Sequence, residues 1–229
     1  MKIVSWNCRG GFYSYEKYKN IRQLDADVYV ISEINEPTKP DEEYKKFINN
    51  HYYLEFPSEK NVKGLAVIAK EDINLEKINW DYDKSQDFLA VRVEDKLDLI
   101  AVWTHHNYLN HMVDYLTTYK ENFENSDNLV MCGDFNIDIS LQSQKGKDEF
   151  NTLLNNYGYK SIYHHLTNEN LGEESVKTFY RKDGNLHMDY LYTKPEIVRS
   201  FKIGKKDKYI GPAETDKSDH VPLIFEIDI

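Results

Sequence analysis

Short apolar runs rich in β-branched residues recur along the chain, separated by polar or helix-patterned stretches. Runs over 2–7, 27–34, 64–70, 88–93, 97–104, 129–133, 188–193, 197–202 and 223–227 predict strands. Stretches over 15–24, 41–49, 110–124 and 147–156 predict helices. In the third of these, Met112, Tyr115, Leu116, Tyr119 and Phe123 fall near a 3.6-residue period that lines up one apolar face. Asn110 is placed to cap its start, because an amide oxygen can accept an orphan backbone N–H there. From 64 to 104 strands follow one another without a helix, whereas strand–helix alternation brackets that segment. This order suits an α/β protein with two sheets packed face to face and helices outside better than one doubly wound sheet. No Pro/Gly/Ser linker, low-complexity tract or short repeat interrupts it, so one domain is expected over 1–229. Asp41-Glu42-Glu43 and Lys205-Lys206-Asp207-Lys208 read as solvated surface.

Composition narrows the function more than the fold. With 40% hydrophobic and 30% charged residues, a chain of 229 residues can bury a substantial core. The mean hydropathy of −0.71 reflects Lys, Asn, Asp and Tyr rather than a disordered chain. A formal charge of −10 argues against a protein that coats nucleic acid through a basic face. It leaves room for an enzyme that meets a polyanion locally, where a bound divalent cation inverts the field. Cys8 and Cys132 lie inside apolar runs and read as buried thiols, not as a disulfide or a metal site. The amino terminus starts directly on a strand-like run without a signal-type apolar region, and no apolar run reaches about 18 residues. The expectation is a soluble cytoplasmic protein that makes no membrane contact.

Polar residues at the ends of apolar strands carry the chemistry. Asn7 follows Ile3-Val4-Ser5-Trp6, and Glu33 follows Val28-Tyr29-Val30-Ile31-Ser32. His105 and His106 follow Ile100-Ala101-Val102-Trp103-Thr104; Asp134 and Asn136 follow the run ending at Gly133. A rigid sheet can aim such side chains into one cleft, and a hard divalent cation relieves the repulsion among converging carboxylates. Singly, each has a bland alternative. Glu33 could be a salt-bridged carboxylate, the two histidines surface residues, and Gly133-Asp134-Phe135-Asn136 a turn. A serine hydrolase and a P-loop enzyme are excluded, because neither Gly-x-Ser-x-Gly nor a P-loop is present.

Taken together, Ser5-Trp6-Asn7, Ile31-Ser32-Glu33, Thr104-His105, Gly133-Asp134-Phe135-Asn136, Met188-Asp189-Tyr190 and Ser218-Asp219-His220 resemble the endonuclease/exonuclease/phosphatase superfamily. The six segments stand in that family's order and span positions 5 to 220. The resemblance implies a four-layer α/β/β/α sandwich of deoxyribonuclease I type with the site at one edge of both sheets. It implies Mg²⁺ or Mn²⁺ held mainly by Glu33 with Asn7 beside it, and Asp219 helping to bind the metal or positioning the nucleophile. Asp134 would orient and deprotonate the attacking water, Asn136 would hold a phosphate oxygen, and His105 would donate to the phosphate. His220 would contact the phosphate or move a proton, with Asp189 setting its tautomer; which of Asp134 and His220 is the base stays open.

Two features depart from that family's pattern. Arg9 stands where repair-type relatives often carry a second acidic ligand; it cannot bind metal and suits a phosphate instead. His106 duplicates His105, of which the latter directly follows the Thr. His187 reads as a strand residue beside the site. Thr178, Tyr180 and Tyr190 are placed to bind or stack on substrate, with strand-face packing as the alternative. Arg9, Arg181 and Lys182 would supply basic groups at the rim. The expected activity is a metal-dependent phosphoesterase, with nucleic acid as substrate in a nuclease reading. The alternative is a small phosphate ester such as a nucleotide, inositol phosphate or lipid headgroup. A non-catalytic module is disfavoured because Glu33, Asp134 and His220 are all present.

Overall fold

The computed structural model describes residues 1–56, 63–80, 87–104, 108–137 and 144–229. The first half runs β1 (Lys2–Asn7), α1 (Lys17–Arg22), β2 (Val28–Ile34), α2 (Glu42–Phe47), β3 (Asn50–Phe56), β4 (Lys63–Ala69) and β5 (Leu75–Lys77). There follow β6 (Phe88–Val93), β7 (Leu97–Trp103), α3 (Tyr108–Thr118), α4 (Lys120–Asn125), β8 (Leu129–Asp134) and α5 (Gln144–Asn156). The last part comprises β9 (Lys160–Ser161), α6 (Ile162–Thr167), β10 (Phe179–Arg181), β11 (Gly184–Leu186), β12 (Asp189–Thr193), β13 (Val198–Ile203), α7 (Lys206–Tyr209) and β14 (Leu223–Ile227).

One six-stranded sheet has the order β13-β14-β1-β2-β4-β3, the other β5-β6-β7-β8-β12-β9, and β10-β11 is a separate hairpin. The inter-sheet core joins Ile3, Val28, Val30 and Val67 of the first sheet to Val91, Leu99, Ala101 and Cys132 of the second. A second core packs Met112, Tyr115, Leu116, Phe123 and Phe150 on the outer face of the second sheet. The third packs Tyr18, Ile21 and Tyr44 on the outer face of the first. These cores define four layers, α/β/β/α, as the strand pattern and the resemblance implied. Both faces of β1, β2, β7 and β8 are covered, which is why their sequences read as continuous apolar runs rather than alternating ones. Burying one Val, Leu or Ile this way contributes about 1.5–3 kcal/mol relative to exposure.

Several elements depart from the sequence expectation. The helix expected over 110–124 is two helices, because Tyr119 leaves helical geometry between them (φ −102°, ψ 24°). The apolar face survives the break: Met112, Tyr115, Leu116 and Phe123 are all buried. Asn110 lies inside α3 rather than at its cap. The first helix starts only at Lys17, because residues 9–16 form a loop in which Arg9, Gly10, Gly11 and Glu16 take positive φ. Strand β3, the β10–β11 hairpin, α6 and α7 have no counterpart in the expectation; the last three are too short to show a period. Lys205, Lys206 and Lys208 are solvent-exposed as expected, yet Tyr209 among them is buried and anchors α7. Cys8 and Cys132 are buried free thiols, each pushed up to about 12 by burial. Among the described residues, no helix is long and apolar enough to cross a membrane.

Strand pairing brings the polar ends together. β1 runs parallel to β2 with Asn7 opposite Ser32, so Asn7 and Glu33 end neighbouring strands on the same side. β12 is antiparallel to β8 with Asp189 opposite Asp134. β14 is antiparallel to β1 with Leu223 opposite Ser5, which delivers the preceding Ser218-Asp219-His220 to the same edge.

Gly133 makes the approach to Asp134 possible. Its φ is +150°, and a Cβ built there would lie 2.0 Å from the Val102 carbonyl oxygen on the parallel neighbour β7. The backbone on the other side cannot yield, since it belongs to the sheet. Gly133→Ala should therefore lower unfolding free energy by about 3 kcal/mol or more. Urea denaturation followed by fluorescence measures this; a midpoint equal to wild type would refute the close-approach argument.

Candidate active site

Asn7 is the hub of the edge where the two sheets meet. Its amide nitrogen donates to Glu33 Oε1 at 3.0 Å and to Asp134 Oδ2 at 2.7 Å, so one side chain links a carboxylate of each sheet. Its Oδ1 accepts the Arg9 backbone N–H at 2.9 Å, and its carbonyl accepts the Ser218 hydroxyl at 2.8 Å. Glu33 sits on a bulge between Ser32 and Ile34 with φ 56°, which turns it out of the ladder toward the cleft. Its other oxygen pairs with the Lys63 ammonium, contributed by the first residue of β4. Burial opposes ionisation of Glu33, but Lys63 and the Asn7 donor outweigh it and hold the carboxyl below its usual range.

Across the sheet interface, His220 Nδ1 lies 2.8 Å from Asp189 Oδ2, and its Nε2 faces Asp134 Oδ2 at 3.9 Å. All three side chains are almost wholly buried. Burial disfavours the imidazolium, yet Asp189 and Asp134 more than compensate and raise His220 to about 10. For Asp134, burial dominates; helped by Asp189 and opposed by His220 and Asn7, it raises the carboxyl to about 7. The result is a protonated imidazole fixed by one carboxylate beside a second carboxylate with strong proton affinity. Ligand atoms of these three residues lie within 4.8 Å of one another. In the metal-free protein these atoms already serve one another, with Nδ1 of His220 held by Asp189 and Nε2 facing Asp134. The oxygen donors that suit a hard cation are Glu33 and Asn7. Asn7 now turns its nitrogen to the carboxylates, so meeting a cation would require its amide to rotate.

The remaining expected residues fall into distinct places. Asn136, at φ 48°, donates its backbone N–H to Asp134 Oδ1 at 2.8 Å and its Nδ2 to the Thr104 carbonyl at 2.9 Å. Asp219 is not in the His220 cluster: its Oδ2 pairs with Arg9 Nε at 3.0 Å. Arg9 is exposed at the rim, with φ 56°. Tyr180 donates its backbone N–H to the Asp219 carbonyl at 2.8 Å, and Lys206 covers its ring at 4.7 Å from the centroid. The β10–β11 hairpin thus abuts the site and carries exposed Arg181 and Lys182. His105 and His106 lie outside the described residues.

Two expected substrate contacts are corrected. Thr178 is fully buried, and its hydroxyl accepts the backbone N–H groups of Met188 and Asp189 at 2.9 and 3.0 Å. It anchors the start of β12, and hence Asp189, instead of lining the cleft. Tyr190 is buried in the helix-side core and cannot stack on a substrate. His187, expected in a strand, lies between β11 and β12 instead; it is buried, burial lowers its pKa, and its Nδ1 is 2.7 Å from the Val176 carbonyl.

Sequence reasoning missed three supports. Trp6 Nε1 donates to the His220 carbonyl at 2.8 Å. Lys17 is buried and donates to the Cys8 carbonyl at 2.7 Å, tying down the loop that carries Arg9. Lys63 neutralises Glu33. No signal in the sequence pointed to it, since Lys63 meets Glu33 only through the antiparallel pairing of β4 with β2 and the bulge there.

The sequence profile of the Endonuclease/Exonuclease/phosphatase family matches residues 4–220. No curated protein sequence matches the chain. Among solved structures, the chain is similar to a 3′ phosphatase from Neisseria bound to product DNA hairpin, at 16% identity and TM-score 0.72. It is also similar to a 3′–5′ exonuclease from Neisseria meningitidis (15%, TM-score 0.68) and to an AP endonuclease from Archaeoglobus fulgidus (15%, TM-score 0.67). In all three, 100% of this chain and 100% of the other are covered. At such identities the likeness shows the fold, the deoxyribonuclease I-like arrangement of two packed sheets.

The electrostatics of the array can be read directly. In metal-free protein, His220 should keep its proton as pH rises past 6.5 and lose it only near about 10. Asp189→Asn should move that titration down, because it removes the largest charge favouring the imidazolium. Nitrogen chemical shifts of the imidazole across pH report both. Titration of wild-type His220 at 6.5 would contradict the array.

Proposed function

This chain belongs to the endonuclease/exonuclease/phosphatase family and is a phosphoesterase of that family; from that premise we propose that it is a divalent-metal-dependent nuclease. Its substrate would be the phosphodiester bonds of DNA or RNA, cut by in-line attack of water within a single catalytic domain over 1–229. The observation that carries this reading is the buried Asp189–His220–Asp134 array, joined through Asn7 to Glu33.

Attack on phosphorus places extra negative charge on the non-bridging oxygens while a proton must leave the water. Asp134, raised toward neutrality, is suited to accept that proton. His220, charged and locked by Asp189, is suited to donate to a phosphate oxygen or to the leaving group. This assigns the base to Asp134 and the donor to His220. Asn136 stands beside Asp134, where its amide can hold a phosphate oxygen. Glu33, Asn7 and Asp219 would hold Mg²⁺ or Mn²⁺, hard cations that match an oxygen set without zinc-type Cys or His ligands. Bound there, such a cation neutralises charge that builds up on the phosphate. The fit is supported by the chain itself, which already sets a cation against each carboxylate: Lys63 on Glu33 and Arg9 on Asp219.

A polynucleotide is favoured by Arg9, Arg181, Lys182 and Tyr180 at one rim and by the DNA enzymes to which the fold is similar. A small phosphate ester is the second reading, favoured by the charge of −10 and by Arg9 being engaged with Asp219. Plasmid DNA, single-stranded DNA, RNA and small phosphate esters, each with Mg²⁺ or Mn²⁺, separate the two. EDTA should abolish turnover and Mg²⁺ restore it; full activity in excess EDTA would end the metal reading.

Asp134→Asn and His220→Ala should each lower kcat by about 10²-fold or more with the fold retained, the magnitude of a lost acid–base group. Folded, fully active variants would refute the roles given. Arg9→Ala should raise KM for DNA or RNA and flatten log Kobs against log salt by about one unit, one phosphate contact's share. An unchanged slope on every nucleic acid, with good turnover of a small ester, would shift the assignment to the second reading.

A further inference from the structure

We propose that Lys63 is the resident counter-ion of the metal site, so that its ammonium and a divalent cation compete for the Glu33 carboxylate. The proposal rests on the reading of Glu33 as a metal ligand and adds to it a residue that antagonises loading.

Glu33 has both oxygens engaged: Oε1 accepts from the Asn7 amide at 3.0 Å and Oε2 from Lys63. Each oxygen keeps a second lone pair, so the carboxylate is not full; but a divalent cation binding there meets the like charge of the Lys63 ammonium, which opposes it, whereas Asn7 is neutral. Asn7 is also the costlier of the two partners to move. It is buried, its nitrogen also serves Asp134, and its Oδ1 holds the Arg9 backbone. Rotating its amide to offer Oδ1 to a cation would strand Asp134 as well as Glu33, so Lys63 is the partner that gives way first. Lys63 serves Glu33 alone among the described contacts, on a flexible stem whose side chain is 34% exposed. Its ammonium can return to water at little cost.

The backbone is arranged for that swing. Lys63 begins β4, and the bulge at Glu33 points the carboxylate toward it. Its stem crosses Gly10, where an added Cβ would stand 3.4 Å from Cε and 3.9 Å from Nζ. The stem thus runs in van der Waals reach of the loop at the mouth of the site, where Gly10 takes φ +70°. In the metal-free protein Lys63 balances Glu33 so that the gathered carboxylates do not drive the edge apart. On loading, its charge is released near Gly10, the residue that follows Arg9 in the chain, on the side of the site where a phosphate would arrive. Lys63 thereby lowers metal affinity and couples loading to the approach of an anion.

Isothermal titration of Mn²⁺ into the metal-free full chain tests this, using wild type, Lys63→Met, Lys63→Arg and Glu33→Gln, each first checked by thermal melting. Lys63→Met should tighten Mn²⁺ binding by about tenfold, a typical coupling between two sites, whereas Lys63→Arg should stay close to wild type. Glu33→Gln should weaken it by a similar factor. If Glu33→Gln weakens binding but Lys63→Met leaves it unchanged or weaker, the competition is overturned while the metal site stands. If Glu33→Gln binds Mn²⁺ as wild type does, the metal reading of Glu33 falls, and the competition with it.

Discussion

Like charges brought together at one end of two packed sheets repel one another, and the geometry of this molecule answers that repulsion. Glu33, Asp134 and Asp189 end or begin strands that the topology places side by side. Unbalanced, they would push the sheets apart at this edge. One amide, one imidazolium and one ammonium prevent this. Asn7 bridges Glu33 to Asp134, His220 answers Asp189 and Asp134, and Lys63 answers Glu33. Neither cation is incidental, because burial favours protonated carboxyls, and it raises Asp134 even with His220 beside it.

The backbone around these groups is held in conformations that a free chain avoids. Arg9, Glu33 and Asn136 all take left-handed φ values, each of which costs about 1 kcal/mol or more for a non-glycine residue. Each is fixed by a hydrogen bond into the same cluster. The Arg9 N–H is held by Asn7, the Glu33 carbonyl by Gly10, and the Asn136 N–H by Asp134. Strain and side-chain network therefore support each other, and the rigid cores behind them supply the stability that the site itself lacks.

An acidic protein that acts on phosphate esters must make its positive potential local. Its described cations near the site are few and placed. Arg9 lies against Asp219, Lys63 against Glu33, Lys206 over Tyr180, and Arg181 and Lys182 on the hairpin beside them. Most are already paired with carboxylates or rings, so an incoming anion or metal exchanges partners rather than meeting bare charge. Exchange of this kind tunes affinity without adding net charge to a chain at −10.

Much of the architecture was legible along the chain because it depends on local pattern. Doubly covered strands are continuous apolar runs, so β1, β2, β7 and β8 were visible, and the polar residue ending or following three of these runs marked Asn7, Glu33 and Asp134. Asp189 and His220 entered through resemblance, since nothing local distinguishes a catalytic Asp-x-x pattern from a strand end. The β10–β11 hairpin, α6 and α7 were not legible: a few residues cannot display a period. Nor could the sequence tell a ligand from a support. Thr178 and Tyr190 looked like substrate contacts until burial placed one under Asp189 and the other in the core. The partners of charge were the least legible of all. Lys63 meets Glu33 across 30 positions and Arg9 meets Asp219 across the whole chain, joined only through strand order and a bulge. Which residues could do chemistry was written in the sequence. Which oxygen faces which cation was decided by tertiary structure, because electrostatic partners are set by distance in space, and distance in space is fixed by pairing between strands remote in sequence.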